Sequence, residues 1–274
     1  MKKRKWSNIF TYVFTTYLLF WFMVLGVCGV AVFVFDAPQS VMKWLIALSS
    51  WMPTVALLIL FKRLEPNRTL KSFYKDLFSE KINLKTLIFA TIIIVGIFFL
   101  SGLSIGLVKG LSLNTQLQFL APALLGNIFF TAIQGASGEE SGWRGYLLPQ
   151  MEKKYGFIKG NIFLGLIWAF WHAPLWFVST SYSGLSLLLY ILVFIIGLVS
   201  FSMIMSIFMK QWRHLFLAFW MHFLFNFVLT FFIGEDLNLL ICIAIFYSVT
   251  AVILTMIYMK KEKRNTVVLA SSSI

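Results

Sequence analysis

The chain has 274 residues, 60% of them hydrophobic and 12% charged, with a mean hydropathy of +0.87. A soluble domain carries about 25% charged residues, so this chain holds more apolar surface than one water-exposed globule can bury. That excludes a soluble enzyme, a disordered chain and a nucleic-acid binder, although the net charge of +13 in isolation points toward the last.

A bilayer core about 30 Å thick needs about 20 apolar residues per crossing. Eight runs qualify, at about 9–35, 41–61, 84–108, 117–138, 161–180, 185–208, 214–233 and 237–259. Lys2, Lys3, Arg4 and Lys5 precede the first, but its apolar stretch exceeds the roughly 7–15 residues of a signal peptide's apolar region, and it lacks a small-x-small cleavage site. It is expected to remain as an anchor. Cys28 and Cys242 each sit inside an apolar run without a C-x-x-C pair, so they read as small apolar residues rather than a disulfide framework. In the loop at 62–83, opened by Pro66-Asn67, the residues Leu70, Phe73, Tyr74, Leu77 and Phe78 recur at three to four positions. That spacing predicts a short amphipathic helix in the membrane interface. With no fixed-period repeat and no linker, 1–274 is expected to form one all-α membrane domain of about eight transmembrane helices.

Lysines and arginines alternate with these runs: 4, 1, 7, 1, 4, 0, 2, 0 and 4 from the N-terminus onward. The two faces of the membrane thus receive 21 and 2, the positive-inside pattern with both termini cytoplasmic. The net charge is a topology signal, and the lipid bilayer rather than nucleic acid is the expected surroundings.

An ionisable side chain at membrane depth costs about 3 kcal/mol or more, so the few that occur are functional candidates. They are Glu139, Glu140, Arg144, His172, His214 and His222, joined by the amide Asn226. Glu139 and Glu140 point about 100° apart on a helix and cannot serve one partner. Glu140 and Arg144 form an i,i+4 pair that neutralises itself, which leaves Glu139 as the unpaired acid and a candidate general base. The glycines at 135, 138, 142 and 145 allow close helix approach or local unwinding, and Pro149 is expected to end the segment. His172 lies mid-run, with Pro174 as a kink just beyond it. His222 and Asn226 share one face at i,i+4. Counted from the start of each run, His172 and His222 lie roughly 12–17 Å deep. All three clusters are therefore expected to meet in a cavity in the cytoplasmic half.

Each group also has an ordinary reading. A membrane histidine or asparagine commonly hydrogen-bonds neighbouring helices, and His214, beside Trp212 and Arg213, suits an interfacial position. What favours chemistry is convergence: an acid, two imidazoles and an amide at compatible depths are the parts of a water-activating hydrolytic site.

The run Gly138-Glu139-Glu140-Ser141-Gly142-Trp143-Arg144-Gly145-Tyr146-Leu147-Leu148-Pro149 resembles motif one, E-E-x-x-x-R, of the CPBP (CAAX protease and bacteriocin-processing, Abi) intramembrane endopeptidases, related to the type II CAAX prenyl endopeptidase. His172 fits motif two, F-x-x-x-H, with Trp168 in place of the phenylalanine, and His222 with Asn226 fits motif three, H-x-x-x-N. The motif core covers about 139–226. The resemblance implies that Glu139 and His172 activate water, that His222 and Asn226 stabilise the oxyanion, and that Glu140 and Arg144 support the site. It also implies a membrane-associated peptide or protein as substrate and a bacterial cell membrane as location. No cofactor is required by this reading, although Glu139, His172 and His222 also make a three-ligand set of the kind that holds catalytic zinc. The rival readings are a non-catalytic bacteriocin-immunity or membrane scaffold protein, and a proton-coupled transporter. The second is disfavoured because neither inverted repeats nor paired broken helices are evident.

Overall fold

Ser7 accepts a hydrogen bond from the Phe10 backbone N–H and so starts α1, Asn8–Phe33, which passes through a widened π turn at Phe22–Cys28. The computed structural model describes residues 7–119 and 121–271, so Lys2–Lys5 of the charge count and Ser272-Ser273 of the tail lie outside the described residues. Helix α2, Gln39–Leu64, is interrupted at Ser50–Trp51, and Pro53 sits in the first turn of its second half, where a missing N–H costs nothing. The amphipathic helix foreseen in the following loop is α3, Leu70–Leu77. A capping box between Thr69 and Ser72 opens it, and Phe73 and Leu77 are its buried face. Helix α4 is Leu84–Lys109, closed by Gly110 at φ +68°.

The fourth apolar run is divided. Helix α5, Ala121–Ile133, stops before Gly135, and α6, Ala136–Glu140, follows. The chain then widens into a π turn at Ser141–Leu147 and continues as α7, Leu148–Tyr155. Pro149 therefore does not end the segment. It occupies the first turn of α7, where the preceding wide turn has already interrupted the regular hydrogen-bond ladder. Helix α8, Phe157–Trp171, gives way at His172 to α9, Ala173–Val178, with Pro174 in its first turn. The remaining helices are α10, Gly184–Gln211, α11, Leu215–Leu229, and α12, Asp236–Ser271.

All eight apolar runs contain helix, and the only strand-like feature among the described residues is an isolated bridge between Leu117 and Phe232. Among the described residues, five helices (α1, α2, α4, α10 and α12) are long and apolar enough to cross a membrane by length and composition, while α8 and α11 are apolar but shorter. The protein is an all-α polytopic membrane protein.

Contacts between helices mark the two ends of the bundle. At the end that carries the basic loops, Lys210 pairs with Glu152 at 2.6 Å and Phe157 meets Tyr258 with ring centres 4.5 Å apart. At the other end, Gln118 N–H donates to Phe231 O at 2.8 Å, and Lys109 pairs with Glu235 at 3.1 Å. Between them lies a core of large buried rings, among them Trp143, Trp168, Trp171 and Phe201. Close approach depends on missing Cβ atoms: one built on Gly138 would stand 2.7 Å from Trp51, so α6 lies flat against the break in α2.

Candidate active site

The break at Gly135 is built by its neighbours. Gly135 adopts φ +77°, a conformation that L side chains rarely take, and its N–H donates to Ser50 Oγ at 2.9 Å. Trp51 Nε1 donates to the Ile133 carbonyl at 3.0 Å, satisfying an acceptor freed at the end of α5. The turn starts α6 and delivers Glu139 and Glu140, exposed by only 3% and 1%, into the centre of the bundle.

As the helical geometry requires, the two acids serve different partners. Glu140 Oε1 accepts from Arg144 at 3.1 Å and also contacts His222 Nδ1 at 2.6 Å. Arg144 is anchored further by Ser202 Oγ at 3.3 Å and by the Trp168 ring, 4.0 Å from its guanidinium carbon. The second contact of Glu140 was not legible in the i,i+4 spacing. It ties the supporting pair directly to His222.

Glu139 has no such cation contact, but it is not free of partners: Trp168 Nε1 donates to its Oε2 at 2.6 Å. The carbonyl of the same tryptophan accepts from His172 Nδ1 at 2.8 Å. With Nδ1–H given to a carbonyl, His172 keeps an unprotonated Nε2 as its remaining acceptor. Trp168 thus touches Glu139, Arg144 and His172 by three different parts of one residue. Sequence reasoning passed over it as an aromatic exchange; the available signal was that only Trp, not Phe, offers an N–H at that position.

His172 stands at the junction of α8 and α9 (φ −75°, ψ −1°) rather than within a continuous helix. Pro174 cannot donate a helical hydrogen bond, and the chain breaks there. His222 and Asn226 lie on one face of α11, as their spacing requires. A Cβ on Gly135 would fall 2.9 Å from Asn226 Nδ2 and 3.0 Å from His222 Nε2, so the two nitrogens converge on a spot that only glycine leaves vacant. Because His222 Nδ1 faces the Glu140 carboxylate, Nε2 is the nitrogen left to meet a ligand. His214 is apart from this group. It is buried, accepts from the Phe216 N–H at 3.1 Å to cap α11, and stacks on Trp212.

Glu139, His172, His222 and Asn226 all line one cavity of about 260 Å³, shared with Gly135, Ser50 and Leu229. Glu140, Arg144 and Trp168 are buried beside it, and its walls extend to Ile46, Leu175 and Leu229. These lie toward the end opposite the basic loops. Helix α8 begins at Phe157 and puts 15 residues before His172, roughly 22 Å at 1.5 Å each. Among the described residues, no group of three or more His, Cys, Asp or Glu side chains is gathered as a metal site.

A buried acid, two imidazoles and an amide thus converge on one cavity within an all-helical membrane bundle. Residues 119–228 match the family described as type II CAAX prenyl endopeptidase Rce1-like. This segment holds all three motifs. The chain is also 33% identical, over 154 residues, to the CAAX prenyl protease 2 of Methanococcus maripaludis, an alignment that covers 54% of this chain and 56% of the relative. The chain thus spans just over half the length of the curated relative it matches.

Proposed function

We propose that the chain, taken over 1–274 as one protease domain, is an intramembrane endopeptidase that hydrolyses a peptide bond of a membrane-associated peptide or protein. The observation that carries this reading is the convergence of Glu139, His172, His222 and Asn226 on one cavity. Glu139, with His172 Nε2 as second acceptor, takes a proton from a water as its oxygen attacks the scissile carbonyl. The tetrahedral oxyanion forms beside Gly135, where His222 Nε2–H and Asn226 Nδ2–H donate to it. The proton then passes to the leaving nitrogen, the C–N bond breaks, and an acid and an amine depart. Glu140 acts through His222, holding its ring, and Arg144 holds Glu140 in place. The positive-inside charge split supports a multi-pass orientation with both termini in the cytoplasm.

The test compares peptides released from membranes holding the parent chain with those from membranes holding Glu139→Gln. Products found only with the parent support the reading, and identical product sets overturn it. No metal is called on, so a zinc chelator is expected to leave the product set unchanged. Loss that zinc restores would move Glu139, His172 and His222 from proton transfer to metal ligation.

A further inference from the structure

A separate cavity, of about 370 Å³, lies at the basic end of the bundle. Four cations line it: Arg144 in the π turn, Lys153 on α7, Lys210 in the last turn of α10, and Arg213 in the connection to α11. Its one acid, Glu152, is already matched, because it pairs with Lys210 at 2.6 Å and accepts from Asn161 Nδ2 at 3.1 Å. Lys153 and Arg213 are exposed and have no acidic partner among the described residues. On its other side Arg213 borders a cavity holding Glu65, Asp76 and Glu80, of which the first two pair with Arg68 and none pairs with Arg213. Arg144 differs from these exposed cations. It is 1% exposed and gives Nη1 to Glu140 and Nη2 to Ser202, yet its buried Nε–H has no hydrogen-bond partner among the described residues. Leaving a buried donor unmet is costly, so both the charge and the hydrogen bonding at this cavity lack an anion. The remaining wall is apolar, formed by Leu77, Leu148, Met209 and Leu215. Leu77 belongs to the buried face of α3, the amphipathic helix, which places the cavity at the depth of lipid headgroups.

We infer that this cavity binds an anionic phosphate group, with Lys153 and Arg213 closing on it from the rim and Arg144 behind it. The donors surround the space from several sides, and a phosphate presents oxygens in several directions, whereas a carboxylate presents two in one plane. The phosphate can come from an anionic phospholipid or from solution. Clustered lysines and arginines at a membrane face attract anionic headgroups, and the apolar wall beside them suits the first methylenes of a lipid. Arg144 is shared between two tasks: it holds Glu140 beside the reaction cavity and lines this one. The inference goes beyond the endopeptidase reading and does not depend on it.

In the experiment, phosphatidylglycerol, phosphatidylcholine or inorganic phosphate is titrated into the detergent-solubilised full chain at fixed ionic strength, and the melting temperature is read. Phosphatidylglycerol is expected to raise it by several degrees, and phosphatidylcholine to raise it far less. An equal rise with inorganic phosphate alone supports the site and makes free phosphate the source. In the double variant Lys153→Gln, Arg213→Gln, both changes fall on exposed residues, and at least tenfold more phosphatidylglycerol is expected for the same rise. The double variant Lys71→Gln, Lys75→Gln, which removes two exposed cations of α3 outside the cavity, is expected to follow the parent. No rise in the parent with either anionic probe overturns the inference. So does an equal rise with phosphatidylcholine, or a cavity variant that follows the parent, or a loss as large in the α3 variant as in the cavity variant. Should the cavity double variant not fold, Lys153→Glu reverses a single rim charge, and it too must need at least tenfold more phosphatidylglycerol, or the inference fails.

Discussion

Trp168 donates its indole N–H to Glu139 Oε2 at 2.6 Å, and no phenylalanine could do so. The chain is at this point unlike the motif it otherwise resembles, and the difference falls on the acid proposed to activate water. A hydrogen bond to a charged group contributes about 1.5–3 kcal/mol, and here it fixes the carboxylate within the cavity. Trp168→Phe keeps the aromatic packing and removes the donor. Turnover on a membrane peptide is expected to fall about tenfold or more, at nearly unchanged KM, with the chain still inserted. Parental turnover would show that Glu139 is positioned by other contacts.

Gly135 is the residue on which the oxyanion geometry depends. At φ +77° and ψ −86°, an alanine is strained by about 1–3 kcal/mol, and its methyl group would occupy the point where Asn226 Nδ2 and His222 Nε2 converge. Gly135→Ala is therefore expected to abolish turnover while shifting the melting temperature in detergent by only a few degrees. An active Gly135→Ala chain would place the oxyanion elsewhere.

Asn226→Ala removes one donor and leaves the turn at Gly135 intact. Loss of one such donor typically costs about 10²–10³ in turnover, with little change in binding. Rates in single-turnover assays read the two effects separately, and an unchanged rate removes Asn226 from the site.

Arg144 and Glu140 are both buried, and Glu140 Oε1 answers to His222 as well as to Arg144. Arg144→Ala leaves a buried acid without its permanent cation, a change that typically costs about 3–5 kcal/mol. Folded yield is expected to collapse. Arg144→Lys should restore little, because a point ammonium cannot reach Glu140, Ser202 and the Trp168 ring together. Parental thermal stability in Arg144→Ala would mean that the pair is dispensable.

The eight apolar runs, the helix at Leu70–Leu77 and the Glu140–Arg144 pair were legible because each is written in local periodicity: length for a crossing, three-to-four spacing for a face, i,i+4 for a pair. The contacts of Trp168 with Glu139 and Arg144 were not, because they cross from α8 to another segment, which spacing along the chain does not encode. The glycines at 138, 142 and 145 signalled close approach, yet they gave no sign that the helix would widen at Ser141–Leu147 and carry Pro149 onward.

The most direct measurement is the rate at which the purified chain, in lipid, cleaves a membrane peptide, set beside the rate of Glu139→Gln. Glutamine keeps the shape of the side chain and an acceptor for Trp168 but cannot take a proton, and a general base contributes typically about 10²–10⁴ in rate. A fall of that size, with substrate still bound and the chain still folded, is the result expected. Cleavage by Glu139→Gln at the parental rate would contradict the assignment of Glu139 as the base.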